Sequence, residues 1–206
     1  FSQDEKDDWR RENVDLIIEQ LYDTIKAVNP HVAFGISPFG VWRNQSDDPK
    51  GSETQAGQTN YDDLFANILR WQEEGWIDYV TPQIYWHIGK EVADPEIRSG
   101  WWSRNALGCR LYIGQAFYRI DRDSNDREWR SSRQIIKQLK LNRTYPNIDG
   151  SMYFSAKTMR KNPRRLKQKM QRRLYRYKAL PPVNLRVDQI TPEPPKNLAM
   201  EVKGDS

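Results

Sequence analysis

The sequence predicts an α/β fold built on a parallel sheet. Three observations carry this. Helix-period and strand-like apolar segments alternate in the order α-βα-βα-βα-βα. Capping residues, Gly and Pro stand between the segments, where helices start and stop. Four βα units fill residues 31–178, whereas a closed eight-unit barrel takes about 250 residues. The chain is therefore either a small open α/β sheet or the second half of a (β/α)8 barrel.

The elements follow in order. Residues 9–28 read as an amphipathic helix, with Val14, Ile17, Ile18, Leu21, Tyr22, Ile25 and Val28 at three- and four-residue spacing. Asp7 or Asp8 can cap it, and Asn29-Pro30 ends it. Val32 to Ser37 is a short apolar strand. Residues 38–60 form a polar loop too long for a plain connector. Asn60 caps the next expected helix, which carries Leu64, Phe65, Ile68, Leu69 and Trp71 and stops at Gly75. Trp76 to Tyr85 reads as a strand, with Pro82 marking a bulge near its end. Asp94-Pro95 starts a weaker helix through Trp101 and Trp102, closed by Gly108. Cys109 to Gly114 is the third strand. Asp126 or Ser124 caps a helix with Trp129, Ile136 and Leu139. Ile148 to Phe154 is the fourth strand. Asn162-Pro163 opens a last helix with Leu166, Met170, Leu174 and Tyr177 on one face.

Composition narrows the function classes. The 206 residues are 37% hydrophobic, against a usual 45–50% for a soluble domain on a count that includes Gly. Eight Trp and ten Tyr partly compensate, and large rings in a lean core often line a binding surface. Mean hydropathy is −0.93, and no apolar run approaches the roughly 18 residues of a membrane span. One cysteine, Cys109, excludes an intrachain disulfide framework and a multi-cysteine metal site. The start, Phe1-Ser2-Gln3-Asp4, has neither the basic nor the apolar run of a signal segment and no initiator Met, so a fragment or processed chain is expected. The net charge of +5 is unevenly placed: residues 157–178 hold 11 of the 33 basic residues and no acid, and the remainder, 22 basic against 28 acidic, sums to −6. The simplest reading of that stretch is the solvated face of a helix. A basic nucleic-acid module is an alternative without a supporting RNA-binding signature.

No phosphate-loop, dinucleotide or HExxH motif occurs, and no cofactor or metal is expected. His31 falls at the start of a strand and reads as structural, whereas His87 follows the second strand on the side where chemistry occurs. The strand ends are more informative. Ser37 to Asn44, Pro82 to His87, Gly114 to Arg119 and Met152 to Ser155 all fall at the carboxyl edge of a parallel sheet, where ligands bind. They combine aromatic rings with amide, hydroxyl and guanidinium groups. Sugars need that mix, because rings stack on their C–H faces and planar polar groups bond their hydroxyls. Trp42, Tyr85, Trp86, Tyr118 and Tyr153 are the expected stacking rings. Ser37, Arg43, Gln83 and Gln115 are the expected hydrogen-bonding groups, and His87 is a further contact. Glycosidases normally need two carboxylates at the scissile bond. None of these strand ends supplies one; Asp78 is early in its strand, and Asp47, Asp48, Glu53, Asp121 and Asp123 fall in loops.

Several strings, in order, resemble a known family. Trp9-Arg10-Arg11-Glu12-Asn13-Val14, Phe34 to Arg43, Tyr61-Asp62-Asp63-Leu64 and Glu74 to Trp86 are similar to the bacterial glycosyl hydrolase-like 10 family, over about residues 9–178. The resemblance implies a TIM barrel acting on carbohydrate in exported or lipid-anchored bacterial proteins. It also extends to the hydrolase domain of the exopolysaccharide-processing de-N-acetylase of biofilm systems. Family members carry an Asp-Asp-Tyr-type motif after the fourth strand, just before the Trp-Arg-Arg helix; that motif is missing here. The expectation is thus strands five to eight of the barrel in residues 1–178, a Pro-rich linker in 179–195, and in 196–206 the first strand of a fibronectin type III-like or other β-sandwich module. The full-length protein would be an extracytoplasmic glycoside hydrolase with its main carboxylates upstream, and a carbohydrate-binding barrel without catalysis is the alternative. Open sheet edges imply that the piece needs the remaining half of the barrel or a dimer partner.

Overall fold

Helix α1 (Gln3–Val28) begins earlier than the apolar spacing predicts. Ser2 and Glu5 form a reciprocal capping box: the Ser2 hydroxyl accepts from the Glu5 N–H at 3.2 Å, and the Glu5 carboxylate accepts from the Ser2 N–H at 2.6 Å. Asp7 and Asp8 do not cap; each pairs one turn on, with Arg10 and Arg11 at 2.6 Å. The computed structural model describes residues 2–90, 94–121 and 124–179. The expected linker beyond Ala179 and the β-module strand lie outside the described residues.

The strands are β1 (Gly35–Ile36), β2 (Tyr79–Val80), β3 (Arg110–Ala116) and β4 (Gly150–Phe154). They form one parallel sheet in the order β1-β2-β3-β4. Sequential parallel order with crossover helices is compatible with part of a TIM barrel. Register places Gly35 beside Tyr79 and Tyr112 beside Gly150. A Cβ on Gly35 would lie 2.5 Å from the Tyr79 ring, so the ring occupies the space that glycine leaves. Pro82 acts as its missing donor predicts. Regular pairing of β2 stops at Val80, and the chain rejoins its neighbours through single bridges from Gln83 to Phe39 and Gly114. The Pro82 carbonyl still accepts from the Gly114 N–H at 2.9 Å.

Helix boundaries moved where side chains found other partners. Asn60 does not cap a helix, because its amide donates to the carbonyls of Phe39 and Val41. Helix α2 (Ile68–Glu73) starts later, capped by Asn67, and the left-handed Gly75 follows it. Helix α3 (Pro95–Arg104) is capped by Asp94 as expected. Asp126 caps only a 3-10 turn, Arg127–Arg130, and α4 (Arg133–Asn142) begins after it. Helix α5 (Ala156–Lys161) has no apolar stripe to betray it and was not expected. Asn162, Arg164 and Arg165 adopt left-handed φ values, so Pro163–Arg165 is a separate turn and α6 (Leu166–Arg173) starts at Leu166. Leu166 and Met170 are buried there, whereas Tyr177, expected on that stripe, is 78% exposed.

Two clusters make the core. One joins Ile18, Trp71, Trp101 and Trp102 to β2 and β3; the other joins Phe117, Trp129, Ile135, Leu139, Leu166 and Met170. Along α1 the expected stripe divides: Ile18 is buried, but Ile17, Leu21 and Val28 are exposed. Asp15, also buried on α1, accepts from the Trp71 indole N–H and pairs with Arg70 at 2.9 Å. Burial nevertheless pushes its carboxyl above the ordinary range, outweighing the bonds from Trp71 and Arg70. A carboxyl raised by folding contributes its stability below its unfolded pKa and loses it as pH rises through the folded value. Asp15→Asn, which keeps the acceptor and removes the titration, should therefore gain on the parent chain between pH 4 and 7. Urea midpoints at both pH values check this; a parent chain that gains on the variant toward pH 7 would contradict it.

Candidate functional site

The long segment after β1 is a built loop, and α3 anchors it. The Trp102 indole donates to the Gly40 carbonyl at 3.0 Å, and the Trp101 indole donates to the Lys50 carbonyl at 2.8 Å. Trp42 stacks on Trp101 with centroids 5.8 Å apart. Asn44 pins the middle of the loop: its amide donates to the Ala56 carbonyl, and its side-chain oxygen accepts from Thr54 and the Ala56 N–H. Arg43 bonds Asp48 at 3.1 Å and Asp62 at 2.7 Å, and its guanidinium lies over Tyr61. Those carboxylates hold its pKa above the usual value against the effect of burial.

Three rings meet above the carboxyl ends of β2, β3 and β4. Tyr85 meets Tyr118 edge-on at 5.9 Å and lies near-parallel to Phe154 at 6.3 Å; Tyr118 meets Phe154 edge-on at 5.8 Å. Tyr118 is 47% and Phe154 57% exposed. Burial, then the neighbouring Tyr118, raises the Tyr85 phenol pKa, so it stays a neutral donor. Beside this platform, Trp86 is held between the Phe39 edge at 5.4 Å and the Arg98 guanidinium at 3.9 Å. Gln83 donates to the Ser37 carbonyl at 2.9 Å, and the Ser37 hydroxyl donates to the Thr81 carbonyl at 2.9 Å. These rings and polar groups present C–H-stacking faces and planar donors on one edge.

Not every expected residue reaches that edge. Trp42 is 5% exposed within the core, so it offers no free face. Tyr153 lies on the opposite side of β4 from Phe154, as strand alternation requires. It stacks on Phe117 at 4.6 Å, its hydroxyl bonds that of Tyr175, and burial followed by Tyr175 pushes its phenol pKa strongly up. Gln115 is 1% exposed, and its side-chain oxygen has no hydrogen-bond partner. The Arg43 guanidinium is committed to its two carboxylates. His87 is half-buried, with Nδ1 3.0 Å from the Ile88 carbonyl and Nε2 3.5 Å from Asp126. His31, expected at a strand start, lies in a turn.

Two residues of the edge escaped the sequence reading. Phe154 ends the fourth strand, and the signal for it is its alternation with Tyr153. Arg98 is buried on α3 with Nη1 and Nη2 unpartnered, and burial lowers its pKa to about 9 against the opposing effect of Asp94. Nothing in a single exposed-looking Arg in a helix signals that it will lie under an indole.

Four of the loop carboxylates are engaged. Asp48 and Asp62 pair with Arg43, Asp62 and Asp63 accept from Thr59, and Asp47 accepts from Asn44. Asp123 lies outside the described residues. Among the described residues, no group of three His, Cys, Asp or Glu is arranged to hold a metal ion.

The family model described as glycosyl hydrolase-like 10 matches residues 1–131. The chain is 46% identical over 192 residues to the curated "Glycosyl hydrolase YngK" of Bacillus subtilis (strain 168), covering 92% of this chain and 38% of that protein. It is 41% identical over 155 residues to "Glycosyl hydrolase DigH" of Escherichia coli (strain K12), covering 72% of this chain and 35% of that protein. The Shigella flexneri protein of the same name matches to the same extent. The chain thus spans less than two fifths of the length of these relatives.

Proposed function

The chain belongs to the glycosyl hydrolase-like 10 family, and from that premise we propose that it supplies strands five to eight of a (β/α)8 domain that acts on a poly- or oligosaccharide. The observation that carries this reading is the Tyr85–Tyr118–Phe154 platform at the carboxyl edge of a parallel sheet. Exposed rings there stack on the C–H faces of sugar rings and strip water from them. Gln83 and Trp86 border the same surface. In the longer protein the reaction is acid-assisted glycosidic cleavage through an oxocarbenium-like transition state. That chemistry needs a carboxylic acid and a carboxylate flanking the bond. The strand ends of this chain carry neither, so we place both on the part of the barrel outside it. We also propose that the protein works outside the bacterial cytoplasm, a reading supported by the family resemblance alone. The open β1 and β4 edges fit pairing with the rest of a barrel.

Titration with the neutral oligosaccharides chitohexaose and cellohexaose tests the platform. Tyr118→Ala and Phe154→Ala are each expected to weaken binding about three- to tenfold, the worth of one stacked ring. Trp9→Ala, which removes an exposed ring on α1, should leave it unchanged. Equal binding by all three variants would remove the platform reading. The chain alone is expected not to hydrolyse glycans; turnover abolished by Asp47→Asn or Asp121→Asn would place an acid within it instead.

A further inference from the structure

The cationic stretch read from the sequence as a solvated helix face has an organisation that solvation does not explain. Residues 129–179 carry sixteen Lys and Arg against one acid, Asp149. Asp149 is itself paired with Arg110, at the amino end of the strands. At the other end, the start of α4 and the start of α6 are tied together. The Lys169 ammonium donates to the Ser132 hydroxyl at 2.7 Å, and that hydroxyl donates to the Arg164 carbonyl at 3.3 Å. The left-handed residues Arg164 and Arg165 turn the chain here, and both side chains are exposed. Burial lowers the Lys169 pKa, and the nearby Arg164, Arg133, Arg173 and Arg165 lower it further. None of these five cations forms an ion pair among the described residues. Assembling like charges without an acid costs free energy that a bound anion would offset.

The location connects this cluster to the platform. Helix α4 follows the carboxyl end of β3, and α6 follows that of β4. Exposed Arg119 lies 5.8 Å from the Tyr118 ring of the platform and 5.9 Å from the Trp129 ring below α4. Cationic groups therefore run from the platform edge to the α4–α6 junction. We propose that this rim is a docking subsite for an anionic polysaccharide, whose carboxylate or phosphate groups meet Arg119, Arg133, Arg164, Arg165, Lys169 and Arg173 while its sugar rings lie on the platform. The inference rests on the platform reading and adds the charge class of the glycan. Planar guanidinium groups suit both oxyanions, since each accepts two parallel N–H bonds. A duplex nucleic acid fits less well, because its bases are stacked on one another and leave the exposed Tyr118 and Phe154 rings uncovered, whereas sugar rings present C–H faces to them.

The test titrates the full chain with polygalacturonate, poly(glycerol phosphate), neutral chitohexaose and a 20-base-pair DNA duplex, at 20 and 200 mM NaCl. At least one anionic polysaccharide should bind at low salt and weaken at high salt, as exposed charges are screened within about 10 Å at 0.1 M. The relative affinity of the two polymers identifies carboxylate or phosphate as the preferred group. R164Q/R165Q should weaken that binding at least tenfold and leave chitohexaose unchanged. K137Q/K140Q, which removes two exposed charges from the middle of α4, should weaken it less than threefold. R133Q/R173Q, at regular helical positions, repeats the rim test should the left-handed turn not tolerate Gln. Chitohexaose reports the platform separately: its failure to bind, with rim-dependent anion binding intact, overturns the platform reading and sustains the rim. Absence of binding to both anionic polymers, equal losses in the rim and control variants, or tighter binding to the duplex than to either polymer would overturn the proposal.

Discussion

Trp102→Ala is expected to lower the unfolding free energy by about 3–5 kcal/mol, the range for deleting a buried Trp side chain. Trp102 is 0% exposed and meets Trp101 edge-on at 5.0 Å. Its indole N–H also satisfies the Gly40 carbonyl at 3.0 Å. Truncation opens a void at the centre of the first core cluster and leaves that buried carbonyl without its donor. Gly40 is pressed against the Gln83 carbonyl, the Trp86 ring and the Arg98 guanidinium; a Cβ there would lie 2.6 Å from that carbonyl. Loosening Gly40 therefore also loosens the border of the ring platform. Trp102→Phe should recover most of the packing and lose chiefly the hydrogen bond, at about 1 kcal/mol. Urea unfolding at 25 °C separates the two, and a loss below 1 kcal/mol for the alanine variant would show that the site collapses to fill the void.

Asp78→Ala should cost about 3 kcal/mol by a different route: Lys26 loses its counter-charge and keeps only the Val32 and Pro30 carbonyls, and the Phe34 N–H loses its acceptor. Asp78 lies at the amino end of β2. Its Oδ2 accepts from the Lys26 ammonium and from the Phe34 N–H, both at 2.7 Å, while its own N–H donates to the Phe34 carbonyl at 2.7 Å. One side chain thus joins the end of α1 to β1 and β2. Asp78→Asn keeps an acceptor for the Phe34 N–H but loses the carboxylate charge that faces Lys26, and should fall between the parent and Asp78→Ala. Denaturant midpoints of the three chains give the order; an asparagine variant less stable than the alanine would refute it. Neutral-glycan affinity measured on the folded Asp78→Asn chain should stay within threefold of the parent, because Asp78 lies at the end of the sheet opposite the platform.

Much of this could be read from residues alone. The alternation of apolar periods predicts the parallel order, because parallel strands require crossover connections. Asp94-Pro95 predicts the start of α3, and Pro82 predicts an interrupted ladder, since both act through local backbone chemistry. Three inner boundaries failed because the chain offers more competent caps than it has helices. Asn60 gives its amide to carbonyls across the loop, Asp126 caps only a 3-10 turn, and Asn162 enters a left-handed turn. The site was half legible. Tyr85, Tyr118 and Gln83 reach the edge as strand-end position implies, and Phe154 follows from alternation in β4. Trp42 could not be placed, because nothing local says that an indole on a polar loop will stack on Trp101 and leave the surface.

By itself, then, the sequence determined the fold class, the family, and the edge of the sheet on which exposed rings and polar groups collect. Those depend on periodicity, motif order and strand polarity, which are properties of the chain. Only the tertiary structure decided which rings remain exposed and which cations converge. Tyr153 and Phe154 are neighbours in sequence and lie on opposite faces of one strand; Arg133 and Arg164 are distant in sequence, yet both act on Lys169. Burial and like-charge proximity are set by packing between elements, and packing is a relation between segments that no single segment encodes.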